Sequence, residues 1–251
     1  MFMPIFPRLR RSRPELRYGV PRGVCVYAIG DVHGCLEPLE RLLEKIERDL
    51  RTHDFQSHLV LLGDLIDRGP QSAGVIERLR HAPAPVDRVH FVMGNHEESM
   101  LNCLAGDIRA YEPWLRYGGV ETLQSYGLDS HDILAEGFDV GAAIKAAVPA
   151  SHRNFIRKFK DQVRIGDCLF VHAGIRPGIP LDQQVPADLH WIRKEFLGDA
   201  SDHGVTVIHG HTIVPRVQVR TNRVAVDTGC YLTGELSAVR VERTAVSILT
   251  S

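Results

Sequence analysis

The sequence predicts an α/β fold: short buried strands, amphipathic helices between them, and one loop-rich edge that gathers polar residues. Three observations predict it. β-Branched apolar runs recur from residue 24 onward, stretches of helical periodicity separate the first of them, and five polar clusters each follow directly on a strand-like run. The clusters are Gly30-Asp31-Val32-His33-Gly34, Gly63-Asp64-Leu65-Ile66-Asp67-Arg68-Gly69, Gly94-Asn95-His96-Glu97, Val171-His172-Ala173-Gly174 and Gly210-His211-Thr212. Ligands of open α/β sheets collect outside the carboxyl ends of the strands, so folding is expected to bring all five to one edge.

Residues 24–29 read as a buried strand that stops at the first cluster. Leu36, Leu39, Leu43, Ile46 and Leu50 then recur at helical spacing, with Arg41, Glu44, Lys45 and Arg48 between them. Residues 59–62 form the second strand, followed by a helix through Val75, Ile76 and Leu79; residues 89–93 form the third, followed by a helix from about Glu97 to Leu104. From about Gly106 to Asp161 helix-like and loop segments take over, including Trp114, Gly118-Gly119 and the run 142–146. This is expected to be a helical insertion and not an independent domain. Strands resume at 163–165, 168–171, 205–208, 217–219 and 224–226, and the last run, 236–241, alternates as a half-buried strand does. No internal repeat or low-complexity tract stands out.

At 251 residues the chain suits one large α/β domain or two small ones. Its formal net charge of −1 supplies no field that would draw nucleic acid or an anionic membrane, and no segment approaches the ~18 apolar residues of a membrane span. The five cysteines, Cys25, Cys35, Cys103, Cys168 and Cys230, are odd in number and form no C-x-x-C pair. Neither a disulfide framework nor a zinc ribbon is therefore indicated, and a reducing cytoplasm is the expected compartment. Residues 1–20 read as a disordered basic arm, with Arg8, Arg10, Arg11, Arg13 and Arg17, ahead of a single domain over 21–251.

The clusters carry oxygen and imidazole donors, a mix suited to hard or borderline divalent cations and not to a thiolate site. Asp31 and His33 are two residues apart, so a turning backbone can aim both side chains one way. Singly, each cluster has a plainer reading: Asp-x-His as a surface turn, Asp64 or Asn95 as a helix cap, His172 and His211 as structural histidines. All of those readings would have to hold together at one sheet edge.

The motifs GDxHG, GDxxDRG and GNHE, followed by two later single-histidine elements, resemble those of metallophosphoesterases of the phosphoprotein phosphatase family. The likeness is to the bacterial and phage branch typified by the bacteriophage lambda phosphatase, which also shows a Trp-x-Arg element and an Asp-Thr-Gly, here Trp191-Ile192-Arg193 and Asp227-Thr228-Gly229. The resemblance implies a calcineurin-like fold, a central β-sandwich of mixed sheets flanked by helices. It implies that Asp31, His33 and Asp64 hold one metal, and that Asp64 bridges to a second completed by Asn95, His172 and His211. Mn²⁺ is the expected metal, with iron or zinc able to take the same positions. His209 matches no family ligand, and Asp227 reads as a turn or supporting residue.

The implied activity is that of a phosphomonoesterase, with attack by a hydroxide shared between the two metals. His96 would be the general acid, Asp67 would orient it, and Arg68 and Arg193 would clamp the phosphoryl oxygens. Asn95 and Arg176 are further phosphate-binding candidates, and a solvated loop arginine is the plain alternative for Arg176. A serine/threonine protein phosphatase, extending to phosphotyrosine, is the leading substrate reading. The alternative is a symmetrical dinucleoside polyphosphate hydrolase, a branch that tends to lack the second Asp of GDxxDRG and to carry Asp where this chain has Glu97. Ile213 stands where nuclease relatives place a second histidine. A non-catalytic scaffold would be expected to lack a ligand or His96, and none is lost. The expected partner is a phosphorylated protein or small phosphoester, with no nucleic acid and no membrane, bound by a monomer.

Overall fold

The computed structural model describes residues 15–52, 54–81 and 84–251. Among the described residues ten strands form two five-stranded sheets. The first takes β1 (Val24–Ile29), β2 (Gln56–Leu61), β3 (Arg88–Phe91), β9 (Ser237–Glu242) and β10 (Ala245–Thr250) in the order β10-β9-β1-β2-β3. The second takes β4 (Gln162–Ile165), β5 (Cys168–Val171), β6 (Thr206–His209), β7 (Gln218–Val219) and β8 (Arg223–Ala225) in the order β4-β5-β6-β8-β7. β1, β2 and β3 run parallel, as do β5, β6 and β8. Each of those six strands therefore ends at the same rim as its parallel neighbours.

Strand alternation sorts the core into layers. Val26, Ala28, Val60 and Leu62 meet Phe170, Ile208, Val224 and Val226 between the sheets. Tyr27, Ile29, Leu59 and Leu61 point the other way, against helices α1 (Leu36–Leu50), α2 (Ser72–Arg80) and α3 (Asn95–Leu104). On the outer face of the second sheet, Leu169, Val171 and Val207 pack on Leu189, Ile192 and Phe196. The result is a helix–sheet–sheet–helix stack. α1 shows why the helices sit as they do: Leu39, Leu42, Leu43 and Ile46 are buried, while Glu37–Arg41 and Glu47–Arg51 pair at i,i+4 on the wet face. Among the described residues no helix is long and apolar enough to cross a membrane.

The stretch expected to be an insertion is helical from Ile108 to Ile156. Its Trp114, Leu123, Ile133, Val140, Ile144 and Ile156 are buried in the same cluster as α1–α3.

Two features differ from the sequence reading. β10 was not expected: only Val246 of its six residues is buried and Ile248 is half exposed, so this edge strand carries no clean alternation. The arm expected over 1–20 falls outside the described residues up to 14, but its end is packed. Leu16 and Val20 are buried, and their N–H groups donate to Thr244 O (2.7 Å) and Arg243 O (3.0 Å). Two apolar side chains in an arginine-rich window suffice to dock this segment on the β9–β10 hairpin.

Candidate metal centre

The rim receives every expected ligand. Asp31 and His33 follow β1, Asp64 follows β2, Asn95 and His96 open α3 after β3, His172 follows β5 and His211 follows β6. All are buried. The first two loops are braided: the N–H groups of Val32 and His33 both donate to Asp64 O (3.0 and 2.8 Å), and Gly34 N–H donates to Leu65 O (2.9 Å). Gly34 lies so close to Gly69 that a Cβ there would stand 2.6 Å from the Gly69 carbonyl oxygen. His33, Asp64, Asp67, Arg68 and His211 all adopt left-handed backbone, with φ from 45° to 72°, a conformation that non-glycine residues hold only where surroundings enforce it.

Lone pairs converge here without donors to match. His172 Nδ1–H donates to Leu62 O (2.8 Å), which leaves its Nε2 facing Asn95 Oδ1 at 2.9 Å, His211 Nδ1 at 3.1 Å and Asp64 Oδ2 at 3.3 Å. His33 repeats the device: Nδ1–H donates to Ile66 O (2.9 Å), and Nε2 lies 3.6 Å from Asp64 Oδ2 and accepts from Arg68 at 3.0 Å. A backbone carbonyl that fixes the tautomer and aims the other nitrogen inward is the arrangement of metal-ligating histidines. Four inward-facing acceptors repel unless a proton or a cation lies among them. Without a cation, His172 takes the proton: burial alone would lower its pKa, but Asp64 outweighs burial and lifts it to about 10. Burial drives His33 and His211 down to about 3 and about 2, so both keep the neutral form that ligation requires. Asp31 accepts from His211 N–H through both oxygens (3.1 and 3.0 Å), and its pKa is pushed well up by burial and by nearby Asp227. A divalent charge inverts such a balance. The donor set therefore fits a pair of divalent cations.

Two ligand groups emerge, His33–Asp64–His96 and Asp64–His172–His211, each with donor atoms within 4.8 Å of one another. Asp64 belongs to both. His96 appears where Asp31 was expected, because its Nε2 lies 3.8 Å from Asp64 Oδ2. Its Nδ1 is held 2.7 Å from Asp67 Oδ2. Burial lowers the His96 pKa, but Asp64 and Asp67 together reverse the sign and hold it above the ordinary imidazole value.

Two supporting residues, Trp114 and Thr122, carry no role in the sequence pattern, and Glu97 figures there only as the close of the GNHE element. Asp67 is tethered by the insertion: Trp114 Nε1–H donates to Oδ2 (2.9 Å) and Thr122 Oγ1–H to Oδ1 (2.6 Å). Glu97, fully buried, accepts from the N–H groups of Asp64 (2.9 Å), Leu65 (2.7 Å), Ile66 (3.3 Å) and Gly94 (3.1 Å). That carboxylate holds the Asp64 turn against the start of α3. Each buried N–H left without a partner costs roughly 1–3 kcal/mol, so Glu97→Ala is expected to lower stability by more than ~3 kcal/mol, measured by urea unfolding.

The remaining expected residues separate. Arg193 reaches the rim, donating to His211 O (3.3 Å) and Thr212 Oγ1 (3.2 Å). Arg176, a candidate phosphate contact, instead makes a two-pronged ion pair with Asp188 at 2.9 and 2.5 Å. Asp227 is buried and accepts from Gly229 N–H (2.8 Å), a turn-forming bond. His209 packs edge-on against Phe196, with ring centroids 5.1 Å apart.

Similar proteins carry the same frame. The symmetrical bis(5'-nucleosyl)-tetraphosphatase of Methylobacillus flagellatus is 28% identical over 271 residues, covering 87% of this chain and 92% of that protein. The asymmetrical bis(5'-nucleosyl)-tetraphosphatase PrpE of Geobacillus thermodenitrificans is 28% identical over 260 residues, covering 89% and 93%. Among solved structures, a protein described as a candidate diadenosine tetraphosphatase superposes with a TM-score of 0.61 at 21% identity, covering 95% of this chain and 98% of that one. A protein-tyrosine phosphatase of a psychrophilic Shewanella superposes with a TM-score of 0.50 at 19% identity, covering 92% and 83%. The family pattern described as calcineurin-like phosphoesterase matches residues 26–240, from within β1 to within β9, and so takes in every residue of the rim. The chain belongs to the calcineurin-like phosphoesterase family.

Proposed function

We propose that the protein hydrolyses dinucleoside tetraphosphates. The reading is carried by the end-to-end likeness to relatives named as bis(5'-nucleosyl)-tetraphosphatases, each matched over more than nine-tenths of its own length. It reverses the preference of the sequence reading for a protein phosphatase. That preference leaned on Asp67 and Glu97. In the fold, Asp67 anchors His96 and Glu97 anchors the Asp64 turn. Both contacts lie inside the framework of the site, so by themselves they do not decide between the two substrates.

Asp31, His33 and Asp64 would hold one cation, and Asp64, Asn95, His172 and His211 the other. A bound pair would lower the pKa of a water and neutralise charge gathering on the phosphoryl oxygens. Asp67 accepts a hydrogen bond from His96 Nδ1–H, which orients the ring so that Nε2–H is the group that would give a proton to the departing oxygen. Arg68 and Arg193, at opposite ligands of the centre, are placed to grip phosphate oxygens. Arg68 donates to His33 Nε2, so it would swing toward the substrate once that nitrogen is engaged.

Incubation with diadenosine tetraphosphate and separation of the nucleotides is the test. Two ADP molecules would mark symmetrical cleavage, and ATP with AMP asymmetrical cleavage. The second reading, a serine/threonine protein phosphatase of the bacterial and phage branch, rests on the Trp191-Ile192-Arg193 element, whose Arg193 does reach the rim. Rapid release of phosphate from a phosphopeptide with the dinucleotide left intact would replace the first reading by the second.

A further inference from the structure

A groove of about 620 Å³ opens off the metal centre between the helical insertion and the segment after β8. Arg68 lies at its inner end, Tyr231 on one wall, and Leu115, Arg116 and Tyr117 on the other. The inner end is continuous with the chemistry. The Tyr231 ring stands edge-on to the His33 ring, with centroids 5.2 Å apart, and the Arg68 guanidinium carbon lies 4.8 Å from the Tyr231 centroid. The outer wall is held in register with the inner end. Tyr117 sits on the wide helical turn Leu115–Gly119, and Arg68 N–H donates to the Gly118 carbonyl (3.3 Å). Gly118 has φ 121° and lies against Arg68, so a side chain there would collide with the Arg68 backbone nitrogen. Yet Tyr117 itself is 60% exposed.

We propose that this groove is a nucleobase subsite. A base stacks against Tyr117 and Tyr231, and its phosphate chain runs past Arg116 toward Arg68 and the metal centre. Tyr117 and Tyr231 offer aromatic faces and Arg116 and Arg68 positive charge, with Glu121 also in the lining; aromatic rings with arginines nearby bind bases through their π-faces and phosphates through charge, tolerant of sequence because every base has a flat face. The volume lies within the range of small-molecule sites. Nothing in the phosphoryl chemistry itself calls for Tyr117, which touches none of the candidate ligands. The inference rests on the dinucleotide reading for its substrate, but the base subsite can be tested without it.

The experiment measures competitive inhibition of p-nitrophenyl phosphate hydrolysis by AMP and, separately, by inorganic phosphate, in wild type, Tyr117→Ala and Tyr117→Phe, with KM for diadenosine tetraphosphate alongside. Tyr117→Ala is expected to raise the AMP inhibition constant and the dinucleotide KM about tenfold or more relative to the phosphate inhibition constant, the scale of one lost base–aromatic stack. Tyr117→Phe keeps the ring and is expected to behave as wild type. Because Tyr117 is exposed, unchanged thermal unfolding checks that the fold survives. If AMP and phosphate constants move together, or neither moves, the subsite is refuted. If wild type binds AMP through Tyr117 but leaves the dinucleotide uncut, the subsite stands and the dinucleotide reading falls.

Discussion

Asp64→Ala is expected to release both cations and bring turnover to the limit of detection. One oxygen of this carboxylate, Oδ2, faces His172 Nε2 at 3.3 Å and His33 Nε2 at 3.6 Å, so it joins the two ligand groups. The other, Oδ1, accepts from His96 N–H at 3.1 Å, which fixes its angle. Burial works against its charge, but His172 and His96 overcome burial and hold its pKa well below the carboxylate range. Removing it would take a donor out of both candidate ligand groups and leave His172 without its principal counter-charge. Outer-sphere partners of metal ligands already cost about 10–100-fold when lost, so a shared ligand should cost more. Metal analysis after gel filtration, paired with turnover, reads the result. Two metals retained per chain would remove Asp64 from the bridging position.

His96→Asn is expected to leave both metals bound and to depress the chemical step. The size of the effect depends on the leaving group. An alkyl phosphate expels a strongly basic alkoxide, so loss of the proton donor should cost the full ~10²–10⁴-fold of general acid catalysis. A tetraphosphate expels a nucleotide phosphate, a far weaker base, and the loss should be smaller. The same variant settles the ligand geometry, because His96 Nε2 lies near enough to Asp64 Oδ2 to compete for a place in the first ligand group. A metal lost with the side chain would make His96 a ligand and not an acid. Normal turnover on an alkyl phosphate would deny it the proton as well.

The rim was legible in the sequence because it is local. Asp31, His33, Asp64, Asn95, His172 and His211 each sit a few residues beyond a strand with a plain apolar pattern, and parallel strands end together. The strands around them, from β1 to β9, were legible for the same reason. What supports the rim was not. Trp114 and Thr122 reach Asp67 across 47 and 55 residues, and Glu97 reaches the Asp64 turn across 32 and 33 residues. No periodicity encodes such contacts. In the sequence Glu97 is only the close of the GNHE element, and the fold shows four backbone donors closing on it. Arg176, offered by the sequence either as a phosphate contact or as a loop arginine, gains a partner that no local pattern announces: Asp188, on the helix Pro186–Trp191. β10 escaped because an edge strand need hide only one face of one residue.

Six non-glycine residues among those described hold left-handed backbone, and five of them are His33, Asp64, Asp67, Arg68 and His211. Each would sit more comfortably as glycine, by roughly 1–2 kcal/mol. A breeder selecting variants of this chain for heat resistance alone would therefore meet a conflict concentrated in a few codons. Relieving the strain at any of them would take away a side chain that the rim uses and leave buried partners such as Trp114, Thr122 or His172 unmatched. The unease of the backbone there measures what the chain gives up to keep its chemistry.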